Sequence, residues 1–134
     1  MGRSFQVTTF GESHGVAVGG VIEGCPSGLR IDREFIAGEL ARRATGSTSS
    51  ASQRREADEV EFLSGLLDGV TLGTPIAFMV RNTDARPEDY EAMKDAFRPS
   101  HADFTYQAKY GIRDWRGGGR ASARTMLPYV VAGA

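Results

Sequence analysis

Two histidines, His14 and His101, are the side chains of this sequence that can both give and take a proton near neutral pH without special tuning. Each stands in a turn. His14 lies inside Gly11-Glu12-Ser13-His14-Gly15, and His101 follows Arg98-Pro99-Ser100. A lone histidine is usually structural, but two out of two in Gly- or Pro-marked turns leaves the chemical and structural readings level. Gly11 to Gly15 also fits G-x-S-x-G, the nucleophile elbow of serine hydrolases, with Ser13 as nucleophile. That elbow requires a helix after the serine, whereas Val16 to Glu23 reads as a Gly-containing strand, and the chain is short for such a hydrolase. A glycine-framed hairpin turn explains Gly11 and Gly15 but leaves the Ser13-His14 pair unexplained. With one cysteine, Cys25, and no H-E-x-x-H, no metal site is expected.

The second candidate chemistry is anion binding. Sixteen basic residues against 17 acidic ones give a net charge of −1, yet 14 of the basic residues are Arg. A guanidinium offers a planar fork to carboxylate or phosphate and keeps its charge. A genome rich in Arg codons would explain the count alone, but not the placement. Arg113, Arg116, Arg120 and Arg124 fall within twelve residues whose one acid is Asp114, and Arg42, Arg43, Arg54 and Arg55 flank a second stretch. Gly117-Gly118-Gly119 precedes Arg120-Ala121-Ser122 and a helical pattern. Glycines let backbone approach a ligand, and helix N-terminal amides favour anions. No Walker lysine and no preceding strand is present, so neither a P-loop nor a dinucleotide turn fits. Two other readings remain: a flexible loop before a helix with a solvated Arg face, and an RGG-like nucleic-acid segment with Trp115 as stacking base. The acidic balance and single occurrence weaken the latter.

These residues need a scaffold, and 134 residues at 40% hydrophobic and 25% charged suffice for one globular domain with a core. No apolar run approaches the roughly 20 residues that span a bilayer. Met1 to Phe10 carries no apolar signal core, which points to the cytoplasm. Phe5, Val7 and Thr9 alternate as a strand and form a hairpin with Val16 to Glu23. Gly24 to Gly28 is a turn, and Asp32 caps a helix to about Arg43 with Phe35, Ile36 and Leu40 on its apolar face. Ala44 to Ser52, six of nine residues hydroxylated, reads as a mobile loop. Val60 to Phe62 and Thr74 to Val80 read as strands around an Asp68-Gly69 turn. A helix begins near Pro87, with Tyr90, Met93 and Phe97 in register. A short one runs from Asp103 to Tyr110, closed by Gly111. A last helical pattern spans Ala121 to Ala134. Pro128 inside it predicts a kink or a cost of about 3 kcal/mol. The apolar end at Val130 to Ala134 suggests a polypeptide cut before its fold is complete.

Taken together, the motifs resemble the chorismate synthase family from about Arg3 to Arg124. The stretches that carry the resemblance are Phe10 to Gly15, Arg98 to Asp103 with Tyr106, Lys109-Tyr110-Gly111 and Arg113-Asp114, and Arg116 to Arg124. Asp58 to Glu61, Leu63-Ser64-Gly65, Gly73 to Ile76 and Arg81 to Asp84 follow in the same order. The resemblance implies an α+β fold of antiparallel strands with packing helices. It implies a phosphate lyase of the shikimate pathway, serving aromatic amino acid biosynthesis. Such an enzyme converts 5-enolpyruvylshikimate 3-phosphate to chorismate by 1,4-anti elimination, with reduced FMN, NADPH as a candidate reductant, and a homotetrameric assembly. By the same resemblance His101 would protonate or hydrogen-bond the reduced flavin. His14 would supply a proton to the leaving phosphate, with Ser13 and Ser122 as relay hydroxyls. Arg120, Ala121 and Ser122 would lie at the FMN, and Arg43 and Arg124 would clamp the substrate's anions. No nucleic acid, membrane or metal is implied.

The sequence departs from the family pattern after Arg43, where Ala44 and Ser49 replace basic residues, and after Arg124, where Thr125, Pro128 and Tyr129 break it. Family members are also roughly two to three times as long. The whole of residues 1–134 therefore reads as a single N-terminal portion of a chorismate synthase domain. The alternative function is a non-catalytic fragment that needs the missing part to bind FMN and substrate.

Overall fold

The computed structural model describes residues 4–45, 58–83 and 87–134. The Ser49 position, most of the hydroxyl-rich stretch, Arg54 and Arg55 lie outside them.

Strand β1 (Gln6–Gly11) pairs antiparallel with β2 (Ala17–Glu23), so the alternation and the turn between them give the expected hairpin. After helix α1 (Arg33–Thr45) come β3 (Glu61–Phe62), β4 (Leu66–Leu67), β5 (Val70–Thr71) and β6 (Ile76–Arg81). The main sheet has the order β1-β2-β6-β3, every pair antiparallel, and β4 and β5 form a separate hairpin. Asp68 (φ 50°) and Gly69 (φ 76°) both take positive φ in that hairpin turn, as a type I′ connection requires.

One face of the sheet is apolar because alternate residues of the two central strands point to it. Val18 and Ile22 of β2 stand opposite Val80 and Ile76 of β6, and Phe78 stands opposite Gly20. Ile36 and Leu40 of α1, with Leu127 and Val131 of α3 (Leu127–Gly133), complete the core. Helix α3 packs on β2 and β1, and α1 packs on α3. Asp32 Oδ1 accepts from the Phe35 amide at 2.9 Å, the expected cap of α1. Helix α2 (Asp103–Tyr110) ends where Gly111 takes φ 75°. Cys25 is half-buried against the core.

Three expectations need correction. Phe35 does not join Ile36 and Leu40 in the core and is 52% exposed. The segment from Pro87 is a 3₁₀ helix to Met93, so Phe97 lies beyond it. The single helix over Ala121 to Ala134 is instead two 3₁₀ turns, Gly119–Ala121 and Ala123–Met126, followed by α3. Ser122 is extended (ψ 147°) and separates the two turns. Pro128 thus sits in the first turn of α3, where no amide proton is needed, and neither kinks nor strains it.

Phe78 has no exposed surface. In denaturant unfolding, Phe78→Ala is expected to lose about 3–5 kcal/mol, while Phe35→Ala changes stability by no more than about 0.5 kcal/mol. Equal losses would contradict this assignment of the core.

Candidate active site

The glycine triplet is where the two histidines meet the same piece of chain. Gly117, Gly118 and Gly119 all have positive φ, at 56°, 88° and 53°. A Cβ on Gly117 would lie 1.9 Å from His14 Nδ1, and one on Gly118 would lie 2.7 Å from His101 Nε2. The imidazoles therefore rest on adjacent residues of one loop, in space that any side chain there would fill. Tyr90 adds an edge contact to the His14 ring, with centroids 4.9 Å apart.

The loop is held from several directions. Arg120 reaches back to β1, donating from Nη1 to the Gly11 carbonyl and from Nη2 to Thr9 Oγ1, both at 2.8 Å. The buried Ser13 donates its amide to the Gly119 carbonyl at 3.2 Å. Asn82, at the end of β6, donates to the carbonyls of Glu12 (3.0 Å) and Gly15 (2.8 Å), which fixes the His14 turn. Arg116 grips Asp114 with two hydrogen bonds of 2.8 and 3.0 Å. Burial pushes the Asp114 carboxyl up, and the hydrogen bonds and charge of Arg116 outweigh it to leave the group below its usual range.

His101 belongs to a second cluster. Asp103, 3% exposed, accepts from Arg98 at its backbone amide, Nε and Nη2 at 3.0, 2.9 and 3.0 Å, and its Oδ1 lies 3.0 Å from His101 Nδ1. The Arg98 hydrogen bonds hold this carboxyl far below its usual range against the opposing effect of burial.

The substrate clamps expected from the sequence lie in a third cluster. Arg124, 7% exposed, donates to Asn82 Oδ1 (2.9 Å), Asp58 Oδ1 (2.6 Å) and the Arg81 carbonyl (3.3 Å). Arg43 donates to the Ala123 carbonyl at 3.0 Å and lies 3.8 Å from Asp58 Oδ2. Both guanidinia thus already face a protein carboxylate. Arg120 and Arg124 do not share a helix face, because extended Ser122 turns them apart. Ser122 Oγ accepts from the Arg124 amide at 3.3 Å and caps the following turn.

A cleft of about 650 Å³ is lined by residues of the loop, Gly118, Arg120 and Ala121, together with Tyr106, Tyr110 and Trp115. The structure brings His14, His101 and Ser13 to the glycine loop. It puts Arg120 and Ala121 in the cleft wall and gathers Arg43 and Arg124 at Asp58. Sequence reasoning assigned no role to Asp58, Asn82, Tyr90 or Asp103. Asp58, Asn82 and Asp103 stand inside the motifs that carried the resemblance, which was the available signal. Strand, turn and strand surround Ser13, so the hydrolase elbow is absent.

Comparison with known proteins agrees with the motifs. The family model for chorismate synthase matches residues 5–134. The chain is 58% identical to the chorismate synthase of Christiangramia forsetii over 98% of its own length and 37% of that protein's. To that of Bordetella petrii it is 59% identical, over 100% of its own length and 38% of the relative's. A crystal structure of chorismate synthase superposes with a TM-score of 0.67 at 34% identity, over 96% of this chain and 32% of that one. The chain belongs to the chorismate synthase family. It spans about 37% of the length of the curated relatives it matches.

Two outcomes follow from the geometry. Gly117→Ala would force left-handed backbone on an alanine, a strain of roughly 1–2 kcal/mol, and drive its methyl into the His14 ring. The expected result is a lower melting temperature with displaced His14 ring resonances, and an unmoved His14 signal would contradict the packing. Asp103 titrates lower in the folded chain than in the unfolded one, so the unfolded state takes up the proton first as pH falls. Its stabilisation is complete above about pH 3.9 and is lost as pH falls through the folded value. The deficit of Asp103→Asn, about 1.5–3 kcal/mol at pH 7, should therefore shrink as pH drops below about 4. A deficit constant with pH in urea unfolding would contradict it.

Proposed function

We propose that this chain supplies the histidine-bearing part of a chorismate synthase, which eliminates phosphate and a proton from 5-enolpyruvylshikimate 3-phosphate. The observation that carries the reading is the seating of His14 and His101 on adjacent glycines of a loop that lies within the family match. Loss of a phosphate ester needs a proton donor or a cation at the leaving oxygen, and His14 is the donor in this proposal. Ser13, in the same turn, and Ser122 are the relay hydroxyls. His101, seated on Gly118, is the group that would protonate or hydrogen-bond the reduced flavin.

FMN is the cofactor of this proposal, and NADPH its reductant. A cleft lined by the side-chain-free Gly118 and Gly119 together with the aromatic Trp115 and Tyr106 suits a planar ring. When bound, reduced FMN supplies the reducing flavin that the elimination requires without net redox change. Arg120 and Ala121 would border it. Arg116, which lines the cleft with its side chain 42% exposed, would meet a phosphate there. Arg43 and Arg124 clamp substrate anions in this reading only if Asp58 yields, and in the complete enzyme the assembly is a homotetramer.

A second reading is that residues 1–134 bind neither FMN nor substrate without further polypeptide. The short span relative to the relatives favours it, as does the commitment of Arg43 and Arg124 to Asp58. Anaerobic titration of the chain with reduced FMN, with and without substrate, separates the two. In a protein that joins this sequence to a relative's remaining length, His14→Ala and His101→Ala should each slow chorismate formation at least about tenfold, because acid–base groups contribute roughly 10²–10⁴-fold. Rates near wild type in either variant would return that histidine to a packing role.

A further inference from the structure

Three nitrogen and oxygen atoms form a tight triangle beside Gly118. Asp103 Oδ1 lies 3.0 Å from Arg98 Nη2 and 3.0 Å from His101 Nδ1, and the two nitrogens lie 3.2 Å apart. The tautomer of His101 decides what this triangle is. If Nδ1 were bare, its lone pair would face a buried anion at hydrogen-bond distance. If Nδ1 carries the proton, both nitrogens donate to one carboxylate, the charge-assisted arrangement that buried carboxylates favour. Asp103 can only accept, because Arg98 keeps it ionised through three hydrogen bonds. A bare Nδ1 would accept from Arg98 Nη2 at 3.2 Å, but with its lone pair also 3.0 Å from the Asp103 anion; Nδ1–H instead makes the shorter contact a donation to that charge, and the two donors share one carboxylate.

We propose that Asp103 is a positioning residue that holds His101 as the Nδ1–H tautomer and so presents its bare Nε2 at Gly118. Nε2 is the ring nitrogen on the glycine side, 2.7 Å from where a Gly118 Cβ would lie. Neutral His101 therefore accepts a hydrogen bond at the loop. Once protonated it donates there, with Nδ1–H still anchored on Asp103. Arg98 is the outer brace: it ties the carboxylate to the chain entering α2, so the ring plane is set by Asp103 rather than by the ligand. Arg113 Nη1 lies 3.9 Å from Oδ1, its side chain 5% exposed, and adds positive charge on the same side.

The proposal deepens the reading of His101 given under the proposed function, but its primary test needs neither flavin nor substrate. With ¹⁵N-histidine labelling at a pH where the ring is neutral, His101 should show a protonated Nδ1 and a pyridine-like Nε2. Asp103→Asn should shift the proton to Nε2, and Asp103→Glu should restore it at least in part. A protonated Nε2 in the wild-type chain overturns the proposal whether or not either variant folds. An unchanged tautomer in a folded Asp103→Asn overturns it too. In the complete enzyme, Asp103→Asn should lower kcat at least about tenfold with KM nearly unchanged. A change confined to KM would also overturn the role. If His101→Ala in the complete enzyme keeps a rate near wild type, the proposed role of His101 in the elimination falls while the tautomer result stands on its own.

Discussion

The site depends on a stretch of three residues that have no side chains and all take positive φ. Gly117 and Gly118 make room for the two imidazoles, and Gly119 receives the Ser13 amide on its carbonyl. An L-residue at any of them meets the left-handed backbone penalty, and at Gly117 or Gly118 its Cβ would also occupy imidazole space. Bringing together residues 87 positions apart in sequence, His14 and His101, thus requires a bare surface more than an attractive contact. The attraction comes from elsewhere. Arg120 ties the loop to the end of β1, and Asn82 ties the His14 turn to the end of β6.

The arginines described around the site divide into two groups. Arg98, Arg120 and Arg124 hold the protein together: each is partly or fully buried and donates to carboxylates, to carbonyls or to a hydroxyl. Arg113 is the same kind of residue, donating from Nη2 to the carbonyls of Met93, Lys94 and Ala96 while lying over the Phe97 ring. Arg116 keeps both a partner and an exposed face. A near-neutral chain can therefore carry many guanidinia without a strong field, because most face acids or carbonyls of the same chain. Asp58 is the clearest case, with Arg43 and Arg124 converging on it.

Much of the fold was legible because strand alternation and turn chemistry are local. The β1–β2 hairpin, the Asp32 cap, the Asp68-Gly69 turn and the Gly111 stop all depend on residues within a few positions of one another. Phe35 misled because an apolar residue beside Ile36 fits helical periodicity whether or not the neighbouring helix reaches it. The last helix misled because Ser122 competes with the helix by capping a turn of its own, which moves Pro128 to a helix start. At the site, the histidines and the glycine loop stood out by residue type. Asp103 and Asn82 did not, since an aspartate or asparagine after a turn is ordinary until its distant partners are placed around it.

The central claim is that His14 and His101 rest on adjacent glycines of one loop, and internuclear contacts in the isolated, isotope-labelled chain test it most directly. The account predicts strong proton–proton cross-peaks from the His14 ring to the Gly117 α-protons and from the His101 ring to the Gly118 α-protons, with the chain free of any ligand. A folded chain in which either histidine ring shows no contact with the loop would contradict it.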